Sequence, residues 1–347
     1  MILLVFLQSK RFEIQNFKNL AFTNSLGIFS FFLILFYMGL RPVSGEYFVD
    51  MATYARQFQA YSNGEPINEE RDVYFEYFTK FCTTIMSLEV YFQVLAILYL
   101  VPLYVASRRI FKEYWYYAFL MIISSLIFWN AGVNGIRNGV ATSFFLLGIS
   151  YSNKKIVMAC FMAVAFAFHK STLLLIAIYL FTTFYKNTKY ILAFWFLSIL
   201  LSLALGGFWE SFFLNFGFGE DERLTGYLST DQDDLDMAVK VGFRWDFLLY
   251  SATGVYTGWY FIFKKKFEDI YYNHLFNIYL LANATWILVI RANYSNRFAY
   301  LSWFMLGVII IYPLLKIKFF TKQHEIVGKI ILGYFLFTYL LNVILAK

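Results

Sequence analysis

The chain has 347 residues, of which 60% are hydrophobic and only 15% are charged, and its formal net charge is +7. A mean hydropathy of +0.58 is too high for a soluble domain of this length. Because apolar stretches of membrane length recur along the whole sequence, we predict an all-α integral membrane protein.

The N-terminal sequence MILLVFLQSKRF has too short an apolar run for a cleaved signal peptide, so we expect it to remain as a cytoplasmic or interfacial leader. The segments that follow predict about 11 transmembrane helices in a single polytopic domain covering 1–347. The predicted ranges are 21–40, 84–106, 114–129, 136–151, 156–168, 171–185, 190–206, 246–263, 274–291, 297–315 and 327–345.

Lysines and arginines in the connecting segments predict the orientation of these helices. With the N-terminus inside, the inner segments collect most of the basic residues and few acidic ones, as the positive-inside rule requires. Two large loops, 41–80 and 207–245, then lie outside. We expect short amphipathic helices in both.

The ranges 156–168 and 171–185 are predicted as two short helices that meet at the sequence HKST. A single helix over both ranges would bury His169 and Lys170 near the middle of the membrane and would break the orientation rule. Each short helix is only about 20 Å long, whereas the membrane core is about 30 Å thick. The HKST turn should therefore lie below the outer surface, in a cavity lined by protein or water.

Polar and basic residues gather at the predicted outer ends of helices that are distant in sequence. One such arginine would be interpreted as an interfacial anchor, but the group opposes the inside bias of the other basic residues, which favours a functional role. The candidate site residues are Arg41, Asp50, Tyr54, Asn134, Arg137, Asn138, His169, Lys170, Ser171, Arg244, Arg291 and Arg297.

Arginine suits phosphate and diphosphate because its guanidinium is planar and permanently charged. The HKST turn adds a helix N-terminus, with Ser171 and Thr172 expected as caps. His169 is interpreted either as a buried histidine with its hydrogen bonds satisfied or as an acid–base or phosphate-contacting group. A lipid with a diphosphate head group would fit such a site.

Other features of the sequence are interpreted as structural. The stripe Gly135, Gly139 and Ser143 is typical of close helix packing. Cys82 and Cys160 lie in different apolar segments, so neither a disulfide nor a metal framework is expected. The acidic run between Asp231 and Asp236 lacks the glycine and the terminal glutamate of an EF-hand loop, so a solvated loop is expected there.

Four motifs in order resemble the EpsG/Wzy-type polysaccharide polymerases, over about residues 37–304. The stretches that carry this resemblance are Arg41 with Asp50 and Tyr54 downstream, GIRNGVA at 135–141, FHKS at 168–171 and SNRFAY at 295–300. They resemble an arginine followed by a D-x-x-x-Y element, a G-x-R-[QN]-G-x-A helix start, an F-H-x-S turn and an N-R-[FI] helix start.

The resemblance implies a membrane glycosyltransferase of the GT-C type on the outer side of the bacterial cytoplasmic membrane. It would transfer a growing glycan from undecaprenyl diphosphate to another lipid-linked repeat unit, so lipid-linked oligosaccharides are its expected partners. A chain-length regulator is a further expected partner, from the resemblance alone. A nucleotide-binding motif is missing from the sequence, and no nucleic acid or cofactor is expected.

Glycosyl transfer builds negative charge on the leaving diphosphate, and arginines placed there would stabilise it. We assign this role to Arg137, Arg291 and Arg297, with Arg244 and Arg41 as further candidates. His169 is the first choice for the base that activates the acceptor hydroxyl, and Asp50 is the second. We expect the enzyme to be independent of metal ions.

Three alternatives remain open at this point. A glycan ligase would need the same diphosphate site and differ only in its acceptor. A flippase or transporter of lipid-linked sugars would favour charges deep in several helices and a repeated hydropathy pattern between the halves of the chain. A membrane acyltransferase using His169 would need access to a cytoplasmic acyl donor, for which the inner segments offer few candidates beyond lysines.

Overall fold

The structure is a computed structural model that describes residues 2–15, 20–45, 49–67, 72–213, 242–292 and 295–345. Within these ranges the chain forms helices joined by turns, and no β-strand occurs there. The α-helices are α1 (Ile2–Gln15), α2 (Leu20–Gly39), α3 (Val49–Ser62), α4 (Val73–Thr83), α5 (Leu88–Phe111), α6 (Trp115–Ile123), α7 (Phe128–Val133), α8 (Ile136–Ser150), α9 (Lys155–Phe168), α10 (Thr172–Phe184), α11 (Thr188–Phe213), α12 (Trp245–Trp259), α13 (Ile270–Leu288), α14 (Asn296–Trp303), α15 (Leu306–Lys316) and α16 (Gln323–Leu345).

Among the described residues, four helical stretches are long and apolar enough to cross a membrane. They are Leu88–Ile123, Thr188–Trp209, Arg297–Lys316 and Gln323–Ile344. Asn24–Gly39, Lys155–Phe168 and Thr172–Phe184 are apolar but shorter. The chain is an all-α membrane protein, as its composition predicts.

Most of the predicted helix ranges coincide with observed helices to within a few residues, but two ranges are broken. The range 114–129 is interrupted after α6, where Thr338 Oγ1 of α16 donates to the Ser124 carbonyl at 2.8 Å. This bond satisfies a carbonyl that the interrupted helix no longer uses. The range 297–315 is interrupted at Phe304 and Met305, between α14 and α15. The sequence pattern missed both breaks because the apolar periodicity continues across them.

The helices form two compact units, of which the first comprises Met1–Thr172 and Ile311–Lys347. In this unit α8 packs against α5, α7 and α9, and α4 packs against α3 and α9. Gly139 is required for the α7–α8 contact, because a methyl group there would overlap the backbone carbonyl of Ala131. Ser143 Oγ lies 3.4 Å from the Leu98 carbonyl of α5. Both residues belong to the small-residue stripe, whose packing role is thus confirmed at these two positions.

The second unit comprises Leu173–Ile310, and α13 lies at its centre, in contact with α11, α12 and α14. Asn283 of α13 is fully buried and bonds to side chains of all three neighbouring helices. Its Oδ1 accepts from Trp195 Nε1 at 2.8 Å, and its Nδ2 lies 3.0 Å from the hydroxyls of both Ser251 and Ser302. Trp303 Nε1 also donates to Ser251 Oγ, at 2.7 Å. We call this neutral group of side chains the Asn283 network.

Candidate functional site

Asp72 is the carboxylate that joins three separate segments of the first unit. It precedes α4 directly and is only 7% exposed. Its Oδ2 accepts a hydrogen bond from Arg137 Nη1 at 2.7 Å and lies 3.5 Å from His169 Nδ1. Its Oδ1 accepts from the backbone N–H of Lys170 at 2.8 Å. The carboxylate therefore links the start of α4, the start of α8 and the turn after α9; we call these residues the Asp72 cluster.

Arg137 owes its position to the way α8 begins. The helix starts at Ile136, directly after Gly135, so Arg137 lies in the first turn with 14% of its side chain exposed. Its guanidinium carbon lies 5.8 Å from the centre of the Phe75 ring. The Tyr54 hydroxyl and the Glu76 carboxylate also act on the guanidinium electrostatically. Arg137 is thus a partly buried cation with one carboxylate in direct contact.

His169 lies at the break between α9 and α10, where the sequence predicts it. Its backbone is extended (φ −155°, ψ 118°), which ends α9 at Phe168. Its carbonyl accepts from the backbone N–H of Thr172 at 3.1 Å and from the Thr172 hydroxyl at 2.8 Å. The expectation that Thr172 caps α10 is therefore wrong, because its hydroxyl bonds backwards to close the turn. The His169 side chain remains 26% exposed.

A second buried carboxylate, Glu76, follows Asp72 by one turn of α4. It is 1% exposed, and its Oε2 accepts a hydrogen bond from the Tyr61 hydroxyl at 2.7 Å. Gln57 Nε2, also from α3, donates to the same oxygen. The Tyr54 ring packs edge-to-face on Phe75 at 5.8 Å. The first large loop thus contributes two helices, α3 and α4, which pack against each other beside the Asp72 cluster.

The electrostatics of Asp72 combine two opposing effects. Burial acts to raise the pKa of its carboxyl, because a charged carboxylate loses hydration. His169, Arg137 and the Lys170 N–H act in the opposite direction, and together they hold the pKa well below its usual range. Asp72 is therefore an anion at neutral pH, as its ion pair with Arg137 requires.

Several polar atoms beside this cluster have no hydrogen-bond partner among the described residues. They are Asn134 Oδ1, Asn138 Oδ1, His169 Nδ1 and Ser171 Oγ, whereas Asn134 Nδ2 donates to Asn130 Oδ1 at 3.0 Å. His169 Nδ1 lies 3.5 Å from Asp72 Oδ2 without a hydrogen bond between them. Asn138 is 8% exposed, so its unpaired oxygen is buried. Buried acceptors of this kind are costly when empty and suit a ligand that brings its own hydroxyl groups. Asp50 is half-buried in the first turn of α3.

Arg41 donates hydrogen bonds to two backbone carbonyls. Its Nη1 donates to the Met38 carbonyl at the end of α2, and its Nη2 donates to the Val133 carbonyl of α7 at 3.5 Å. Burial lowers the pKa of Arg41 to about 10, which leaves it cationic at neutral pH. Its position thus follows from two helix C-termini, whose carbonyls attract a cation.

Three predicted arginines belong to the second unit. Arg244 forms a bidentate ion pair with Asp246, with N–O distances of 3.0 and 2.6 Å. Its guanidinium carbon lies 3.7 Å from the centre of the Phe247 ring. Arg291 Nη2 donates at 3.4 Å to the Leu203 carbonyl, which precedes a kink of α11 at Leu205. Arg297 is half-buried in the first turn of α14.

The structure brings Arg137, His169 and Lys170 together around Asp72, and Tyr54 lies beside Arg137. Sequence reasoning missed Asp72. Asp72 and Glu76 were passed over as members of a polar loop, although a carboxylate directly before an apolar run is a signal for a helix start. Asp72 occupies that position without capping the helix. The acidic run between Asp231 and Asp236 lies outside the described residues.

Comparisons with known proteins give one result that covers almost the whole chain. The sequence model described as the EpsG family matches residues 25–347. No curated protein and no solved structure matches the chain.

Proposed function

The chain belongs to the EpsG family, and from this premise we propose that it is a polysaccharide polymerase acting on lipid-linked glycans. Membership by itself points to a polymerase of the glycosyltransferase kind. Our proposal adds the substrates: a growing glycan on undecaprenyl diphosphate is the donor, and the sugar of another lipid-linked repeat unit is the acceptor. The reaction would take place on the outer side of the bacterial cytoplasmic membrane.

The observation that supports this proposal most strongly is the meeting of Arg137, His169 and Lys170 at Asp72. Transfer from a lipid diphosphate needs cations beside the leaving group and a base beside the acceptor hydroxyl. Arg137 places its guanidinium beside Asp72, and Lys170, whose backbone N–H bonds to Asp72, carries an exposed side-chain ammonium. The His169 imidazole supplies a proton acceptor that reaches the surface of the cluster.

In the proposed reaction the acceptor hydroxyl oxygen attacks the anomeric carbon of the donor, and a new glycosidic bond forms. The bond from that carbon to the diphosphate oxygen breaks, and the diphosphate keeps the electron pair. The hydroxyl proton passes to His169, with Asp50 as the second candidate. Arg137 and Lys170 would stabilise the charge that develops on the diphosphate.

The other arginines have weaker claims to the leaving group. Arg244 pairs with Asp246, and Arg41 and Arg291 donate to backbone carbonyls, whereas Arg137 contacts the carboxylate that His169 also approaches. We keep Arg41, Arg244, Arg291 and Arg297 as secondary candidates for substrate binding. The unpaired oxygens of Asn134 and Asn138 are suited to sugar hydroxyls, which donate hydrogen bonds.

Several finer features are part of the same proposal. They are about 11 membrane spans in a single polytopic domain, a GT-C-like architecture, extracytoplasmic placement of 41–80 and 207–245, and action without a metal ion. Arginine supports the last of these, because it can stabilise diphosphate charge as a metal ion does elsewhere. A chain-length regulator protein would be a further partner.

The test uses a strain that lacks this protein, complemented with the wild type, with Arg137→Ala or with Arg56→Ala at equal membrane abundance. Arg56 is an exposed arginine of α3 that bonds only locally in its described contact, to Thr53, and serves as the matched control. Surface glycan is separated by length, and the lipid-linked pool is analysed beside it. We expect long chains with the wild type and Arg56→Ala, and exported single repeats with Arg137→Ala.

Other outcomes would overturn the proposal. Repeats retained on the cytoplasmic side in the strain without the protein would indicate a flippase. Full-length glycan left on its lipid carrier would indicate a ligase. Normal chain length with folded Arg137→Ala would remove Arg137 from the site.

A further inference from the structure

The carboxylate of Asp72 has more partners than a structural ion pair needs. A buried arginine such as Arg137 requires one carboxylate for charge balance. Here the second carboxylate oxygen accepts a hydrogen bond from the Lys170 N–H at 2.8 Å. This bond fixes the turn that carries the neighbouring residue, His169. His169 Nδ1 then lies 3.5 Å from Oδ2. At this distance the carboxylate charge lies beside Nδ1, although the two atoms are not hydrogen-bonded to each other.

A carboxylate beside one ring nitrogen of histidine determines which nitrogen carries the proton. A proton on Nδ1 faces the negative charge favourably, and Nε2 is then left with a free lone pair. The same logic operates wherever a buried aspartate orients a catalytic histidine. Arg137 and the Lys170 N–H hold the carboxylate itself in place.

We propose that Asp72 is a positioning residue, which keeps the His169 proton on Nδ1 so that Nε2 accepts the proton of the acceptor hydroxyl. This inference rests on the proposed function. When the hydroxyl proton moves to Nε2, the imidazole becomes an imidazolium whose positive charge lies next to the Asp72 carboxylate, with Nδ1 3.5 Å from Oδ2. The electron pair of the hydroxyl oxygen forms the glycosidic bond, and the diphosphate leaves with the pair of the broken bond. The Asp72 carboxylate stabilises the imidazolium and is not itself protonated.

Glu76 provides a matched control on the same helix. It is one turn away, even more buried than Asp72, and its carboxylate is held by Tyr61 and Gln57 of α3. Asp72→Asn and Glu76→Gln each remove one buried negative charge while keeping the size of the side chain. Only the first change removes the charge that faces His169.

The experiment measures the tautomer of His169 by NMR of the full chain, purified in detergent and labelled with ¹⁵N-histidine. The sequence has only three histidines, so His274→Gln and His324→Gln variants assign the His169 signals. We expect the Nδ1–H form in the wild type and in Glu76→Gln, and a shift toward the Nε2–H form in Asp72→Asn. An Nε2–H form in the wild type, or an unchanged tautomer in Asp72→Asn, would overturn the inference.

Kinetics with lipid-linked repeat units test the consequence for the reaction. We expect kcat to fall about 10²- to 10⁴-fold in Asp72→Asn, with KM nearly unchanged and partial recovery in Asp72→Glu. A kcat within about twofold of the wild type would refute the role of Asp72. Should the wild type itself fail to polymerise, the proposed function fails, whereas the tautomer remains a separate result. If Asp72→Asn does not fold, the wild-type tautomer and Asp72→Glu still decide the inference.

Discussion

The Asp72 cluster and the Asn283 network are both buried and polar, but they differ in charge and in how fully their atoms are hydrogen-bonded. The Asn283 network is neutral, and both ends of the Asn283 amide have partners. The Asp72 cluster is charged, partly exposed at Arg137 and His169, and bordered by oxygens without partners in the described part of the chain. A satisfied neutral network stabilises a fold, whereas a charged cluster bordered by unpaired buried oxygens is what the proposed substrate site requires.

The largest expected effect comes from breaking the ion pair of the Asp72 cluster. Arg137→Ala leaves a buried carboxylate without its main partner, which should lower the free energy of unfolding by about 3 kcal/mol. The double variant Arg137→Ala/Asp72→Ala removes both charges and should be more stable than Arg137→Ala by about 1 kcal/mol or more. Thermal unfolding in detergent measures both. Equal stability of the two variants would show that the pair is not coupled.

The corresponding change in the Asn283 network should affect stability and not the reaction. Leucine in Asn283→Leu has a similar volume, but the change leaves the Trp195 N–H without its acceptor and removes the amide bonds to two serine hydroxyls, at a cost of about 2 kcal/mol. Polymerisation per folded molecule should stay close to that of the wild type. A large loss of turnover in a folded Asn283→Leu variant would contradict the distinction between the two clusters.

Because Asp72 is charged, the stability that the Asp72 cluster contributes depends on pH. Since the pKa of its carboxyl is lower in the folded chain than in the unfolded one, its contribution is complete above about pH 4. The contribution is lost as the pH falls below that value and the folded carboxylate takes up a proton. Stability should therefore fall more steeply in the wild type than in Asp72→Asn between about pH 5 and about pH 3. Unfolding temperatures at several pH values, with Asn283→Leu as the neutral reference, provide the measurement.

The smallest expected effect is at Ser171, whose Oγ has no partner among the described residues. Ser171→Ala removes a polar atom that bonds to nothing described in the chain, so stability should change by no more than about 0.5 kcal/mol. If the hydroxyl contacts substrate, KM should rise about threefold to tenfold. Unfolding temperature and KM are measured on the same preparation. A loss of stability as large as that of Asn283→Leu would mean that the atom is satisfied inside the protein.

The helices were predictable because apolar periodicity and charge determine them locally. The break at HKST was found from the cost of burying His169 and Lys170, and the structure has it at His169. The sequence also predicted Arg137 and His169 as site residues, and the structure places both beside Asp72. Asp72, the carboxylate that both residues approach, could not be identified from the sequence pattern. It follows two glutamates and an arginine in a polar stretch in which no residue is distinctive.

The partners of the arginines were equally hidden from the sequence. Arg41 and Arg291 bond to backbone carbonyls. Every residue offers the same backbone carbonyl whatever its side chain is, so no sequence pattern identifies the acceptor. Arg244 is the exception, since Asp246 lies two residues away and the pair was visible as a neighbouring charge. Ion pairs between residues that are close in sequence can be predicted from their spacing. Pairs between residues that are distant in sequence can be identified only once the structure is known.

The bridge that Arg41 makes between the ends of α2 and α7 affects how an arginine scan should be interpreted. Met38 and Val133 are tied through one guanidinium, and Arg137 follows Val133 by a single turn of chain. Arg41→Ala would release that tie and let the start of α8 shift, so polymerisation could fail without any lost substrate contact. Inactivity of Arg41→Ala would therefore not by itself show a substrate contact at Arg41. A direct ligand-binding measurement on the folded variant separates the two causes.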